Sequence, residues 1–84
     1  MAVVSYSGAK SVPRYHFDWA LGNHRVRDAA GFDLPDDAAA RAHAESEIRE
    51  LLATTMGKRL DKDCAIEVCD NKLHILFKVS CKDV

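Results

Sequence analysis

Eighty-four residues, 48% of them hydrophobic and 30% charged, describe one small globular domain and argue against both wholesale disorder and a membrane protein. Twelve basic against thirteen acidic residues leave a net charge of −1, which gives no bulk attraction to a polyanion. No apolar run approaches the roughly 18 residues of a membrane span, and Met1 to Val12 holds no continuous apolar stretch of the kind a signal peptide has, so the expected address is cytoplasmic.

Cys64, Cys69 and Cys81 are odd in number and contain no Cys-x-x-Cys pair, so neither a disulfide framework nor a zinc site is signalled. Reduced thiols are expected.

Residues 1–12, rich in small and polar side chains, read as a loosely ordered leader, with a single domain over 13–84. From Arg14 to Ala20 the apolar Tyr15, Phe17 and Trp19 alternate with Arg14, His16 and Asp18, the period-two pattern of a strand with one buried face. Gly22-Asn23 suits a two-residue II′ turn. That turn predicts Trp19 facing Val26 on the buried side, with Ala20 facing Arg25 and Asp18 facing Arg27 on the other. Ala30-Gly31 supplies a second bend, and Phe32 and Leu34 form a short extended piece leading to Pro35.

Asp36 or Asp37 is the expected helix N-cap, since its carboxylate can accept a backbone N–H left unpaired in the first turn and is favoured by the helix dipole. Ala40, Ala44, Ile48, Leu51, Leu52 and Thr55 recur at helical spacing, and Glu45 and Arg49 are set for an i,i+4 pair. Gly57 suits the position just after the helix. Beyond it, Cys64, Ile66 and Val68, then Leu73, Ile75, Phe77 and Val79, alternate as two strands. A two-residue turn at Asp70-Asn71 would oppose Val68 to Leu73, Ile66 to Ile75 and Cys64 to Phe77. The predicted fold is α+β: an antiparallel sheet of about four strands in β-β-α-β-β order, with one long helix on one face.

The runs Pro13-Arg14-Tyr15-His16-Phe17, Arg27-Asp28, Gly31-Phe32-Asp33-Leu34-Pro35-Asp36 and Ala39-Ala40-Arg41-Ala42 together resemble a family of short proteobacterial proteins known only as a domain of unknown function. Its members open with Pro-Arg-Tyr-x-Phe, pass through Asp-x-x-Gly-x-x-Leu-Pro-Asp into an alanine-rich helix, and finish with a hairpin. Asp70-Asn71-Lys72 departs from the resemblance, standing where that last turn more often includes Gly. No activity or residue role comes with the family. A more distant similarity, in element order and in the Gly-x-x-Leu-Pro-Asp approach to the helix, is to HicB-type antitoxins; it is a likeness of fold only.

Residues that bear chemistry are scattered. Glu67 and His74 would face each other on the side of the hairpin away from the helix, as an acid/base pair or, more simply, a solvated cross-strand pair. His16, on the same face, would add to that pair only if its strand lay next to theirs; His24, by a turn, and His43, on the helix, have no partners at ligand spacing, so neither metal nor cofactor is expected. Arg14, Arg25 and Arg27 form a candidate basic patch, although Asp18, Asp28 and Glu67 share the neighbourhood and the aromatic residues point into the core. Ala65 and Leu76 would oppose each other as an apolar island ringed by Glu67 and His74, a candidate interface for a homodimer. The reading that follows is a non-enzymatic binding or regulatory module acting on an unidentified protein partner. A HicB-like or nucleic-acid-associated regulator comes second, and an enzyme using Glu67 and His74 third.

Overall fold

The computed structural model describes residues 12–60 and 63–84, with only the backbone at Met56. The expectation of a leader falls almost entirely on residues outside the described ones. Strand β1 (Arg14–Leu21) runs down the sheet, with Tyr15 and Phe17 buried on the side of the core as the alternation requires. Gly22, at φ +59°, turns the chain into β2 (His24–Val26). Trp19 pairs with Val26 and Ala20 with Arg25, the register the two-residue turn dictates.

Pairing stops at Val26, so Asp18 does not face Arg27. The chain leaves the edge of β1 and returns as β3 (Phe32–Asp33), with Phe32 opposite Tyr15. From Trp19 to Tyr15 is four residues on β1, whereas from Val26 to Phe32 is six, so two residues are surplus and must bulge outwards. Gly31, at φ +78°, closes this excursion, and a Cβ there would lie 2.9 Å from the carbonyl oxygen of Tyr15.

Helix α1 (Asp37–Leu52) begins at the N-cap Asp36, whose side chain accepts the N–H of Ala39 at 2.8 Å. Ala40, Ala44 and Ile48 are fully buried against the sheet, and the small alanines let the helix approach closely. Gly57 does not end this helix. Ala53 caps it, and Gly57 lies inside a second helix, α2 (Thr55–Leu60), pressed onto the backbone of Leu51 and Leu52 where no side chain fits. Thr55, expected on the buried stripe, is consequently exposed.

Strands β4 (Cys64–Cys69) and β5 (Ile75–Ser80) form the last hairpin. The sheet order is β2-β1-β4-β5, with β3 on the same edge of β1 as β2, giving five antiparallel strands with α1 across one face. The hairpin register differs from expectation: Val68 pairs with Phe77, Ile66 with Val79 and Glu67 with Lys78. The cause is a longer turn. The Asp70 carboxylate accepts the N–H groups of Lys72 and His74, and its backbone N–H donates to the His74 carbonyl, so five residues, 70–74, make the reversal with Leu73 at φ +70°.

The same register brings Ala65 opposite Ser80, and therefore Cys64 beside Cys81 at the start of a final 3₁₀ turn (Cys81–Asp83). These two cysteines are joined in a disulfide, with Cα atoms 5.3 Å apart. This corrects the expectation of reduced thiols. The two-residue turn would have set Cys64 against Phe77 and kept the sulfurs apart.

Candidate functional site

The side of the sheet that α1 leaves uncovered carries a cleft of about 380 Å³ bordered by β1, β2, β4 and the start of β5. Its polar floor comes from Asp18 and Glu67, adjacent across β1 and β4, and Arg25 reaches from β2 over β1 to ion-pair with Glu67. Its rim is apolar. Val26, Leu73 and Ile75 line it, and they are 50%, 59% and 60% exposed. Leu76, 42% exposed, is the surplus residue of a bulge at which Cys69 pairs with Ile75.

Several residues nominated from the sequence are not where the expected register would put them. His74 does not oppose Glu67; it sits in the turn, 3.3 Å from Asp70, while Glu67 pairs in register with Lys78. Ala65 does not oppose Leu76 either. It is only 9% exposed, and its partner Ser80 lies four residues, about 13 Å, further along β5. Arg14, Arg25 and Arg27 do not act as a set. Arg14 grips both oxygens of Asp33 at 3.0 and 3.2 Å and donates to the Ala30 carbonyl at 2.7 Å, which fastens β3 to β1. Arg25 is engaged by Glu67, and Arg27 has no ion pair among the described residues.

Cys69 lies under the cleft, buried, and burial together with the nearby Asp18 and Glu67 carboxylates pushes its thiol pKa up. It is a poor nucleophile there. Among the described residues no group of three or more His, Cys, Asp or Glu is placed to hold a metal, and no helix is long and apolar enough to cross a membrane.

Sequence reading missed the most densely bonded group of this region, Asp28. Where β2 and β3 part from β1, its carboxylate substitutes for the missing strand, accepting the N–H of Phe17 at 3.1 Å and of Gly31 at 3.0 Å. Its own N–H donates to Asp18 at 2.9 Å, and its carbonyl accepts Nδ1–H of His16 at 2.7 Å. His16 is 8% exposed although it points away from the core, because the 70–74 turn folds over it and sets Asn71 Oδ1 3.2 Å from Nε2. With acceptors at both ring nitrogens the imidazolium is favoured. The Asp28 carbonyl first and Asn71 second raise the His16 pKa against the opposing effect of burial. The signal available in the sequence was the Asp28-x-x-Gly31 spacing.

Tyr15 is a further anchor. Its hydroxyl donates to Asp37 at 2.8 Å, and burial followed by that carboxylate pushes its pKa up to about 12. The contact ties the start of β1 to the first turn of α1.

No curated protein and no solved structure matches this chain. A family model does, over residues 14–82, from the first residue of β1 into the final 3₁₀ turn and so across every element described above; the chain belongs to the Domain of unknown function family DUF6894.

Proposed function

We propose that this domain is a non-enzymatic binding module that acts by protein–protein contact, with the open face as its contact surface and a second copy of the chain as one partner. The observation that supports this reading is the group of large apolar side chains left to water around the cleft: Val26, Leu73, Ile75 and, beside them, Leu76. Charges of both signs, Asp18 and Glu67 with Arg25 and Arg27, stand among them. Two copies related by a two-fold axis can therefore bury the apolar rim while opposing unlike charges.

Sedimentation of the wild type and of Leu76→Asp tests it. The wild type is expected to associate and the variant to run as a folded monomer. A wild type that stays monomeric at high micromolar concentration would remove self-association. The regulator of nucleic acid ranks second, because it needs three free arginines and two are engaged within the domain. An enzyme built on Glu67 and His74 ranks third, since the two groups stand apart.

A further inference from the structure

Beside α1, where the chain swings out between β2 and β3, lies a separate hollow of about 260 Å³. Phe17, Trp19 and Phe32 wall it, and Asp28, Glu47 and Arg27 provide its charges. The rings hold one another at fixed inclinations. Phe17 and Phe32 meet edge to face with centroids 5.8 Å apart, and His43 of α1 packs against them at 4.6 and 4.4 Å respectively. Phe32 nevertheless stays 45% exposed.

The charges differ in how far they are committed. Asp28 already spends both carboxylate oxygens on backbone N–H groups of Phe17 and Gly31. Glu47 does not. Its nearest partner is His43 Nε2 at 3.5 Å, and that buried nitrogen closes no hydrogen bond. Two carboxylates against one guanidinium leave the hollow net negative, and Arg27 also borders the open-face cleft, where its charge acts on Cys69.

The geometry points to a binding site for a methylated ammonium group. Aromatic walls attract a cation through their ring quadrupoles and accept its methyl surface, and Glu47 is the counter-charge. An unmethylated ammonium would have to give up water that this hollow has few acceptors to replace; methyl groups remove that requirement. The chain already seats one of its own cations on a ring, with the Arg41 guanidinium 4.7 Å above Phe77. This site meets the open-face cleft at the sheet edge, where Val26 and Arg27 border both, but Trp19, Phe32 and Glu47, on which it rests, do not line that cleft.

Trp19 is the only tryptophan, so its emission reports on the hollow directly, with calorimetry as a second readout. The probes are choline, a short peptide carrying trimethyllysine, and 3,3-dimethylbutanol, the uncharged carbon isostere of choline. Saturable binding of a cationic probe is expected, with the isostere at least about fivefold weaker. Choline binding as well as the peptide indicates a free small molecule; tighter peptide binding indicates a modified side chain on a protein. Glu47→Gln and Phe32→Ala should each weaken binding by about fivefold with the far-ultraviolet circular dichroism unchanged. Equal affinity for the isostere, an unaffected Glu47→Gln variant, or no saturable response to either cation up to about 10 mM would overturn the assignment.

Discussion

Replacing Asp28 with alanine removes no buried apolar surface, yet it should be among the most damaging single changes in this domain. The Phe17 N–H lies in the middle of β1 at a residue 3% exposed, and the bulged edge offers it no carbonyl; the Asp28 carboxylate is its acceptor, as it is for the Gly31 N–H. A buried donor left without a partner costs about 1–3 kcal/mol. Two such donors, the second only partly buried, bring the loss to about 2–4 kcal/mol. A domain of this length holds about 4–12 kcal/mol in total, and each kcal/mol moves the melting temperature by about 4–8 °C. Urea unfolding followed by circular dichroism measures the loss. Asp28→Asn keeps one acceptor oxygen but turns an NH₂ towards the other donor, so it should fall between wild type and alanine. An alanine variant within about 0.5 kcal/mol of wild type would refute the reasoning, because the excursion would then be held by its packing alone.

Leu73 occupies the left-handed region and is 59% exposed, so Leu73→Gly relieves strain and forfeits little packing. A gain of about 0.5–1 kcal/mol is expected, and a loss in chemical denaturation would mean that its side chain contributes at the cleft. Reducing the Cys64–Cys81 bond, which spans 17 residues of sequence, should cost about 3 kcal/mol; coincident melting curves with and without dithiothreitol would contradict this. His16 has a pKa raised above its ordinary 6.5, so its contribution is complete below that value and is lost as pH rises through the folded-state pKa. The melting temperature should therefore fall as the pH rises from the ordinary 6.5 through the higher folded-state pKa, and a His16→Gln variant with the same slope would show that another group is responsible.

The parts of the fold legible in the sequence are those set by local chemistry. Alternation over Tyr15, Phe17 and Trp19, glycine at a positive φ in the first turn, and an aspartate ahead of an alanine-rich stripe each act within a few residues, and each appears in the structure where the pattern put it. The last hairpin was misread at one point, the turn. A five-residue reversal followed by the one-residue bulge at Leu76 shifts the pairing by four, an even number, so Phe77 and Val79 keep their face in either register and the pattern could not choose between them. Ile75, expected beside them, instead pairs with Cys69 on the open face. That ambiguity carried into everything non-local. It separated Cys64 from Cys81, set Glu67 against His74, and drew an island around Ala65 and Leu76 that the real register divides. Asp28 was hidden for a different reason: an aspartate in a loop looks solvated unless the two surplus residues beside β1 are known.

Those surplus residues have a consequence for how the sheet can grow. One margin is broken into β2, three residues, and β3, two residues, with the Asp28 excursion between them. The other margin is β5, six residues of Ile-Leu-Phe-Lys-Val-Ser without proline, and among the described residues nothing pairs with its outer side. In the language of polymer chemistry the domain is a monofunctional unit. Among the described residues β5 is the margin along which a strand supplied by another molecule can add. The interrupted margin, in pieces of three and two residues, does not template a second addition, so edge pairing of these strands terminates after one step where two intact margins would propagate into a fibre.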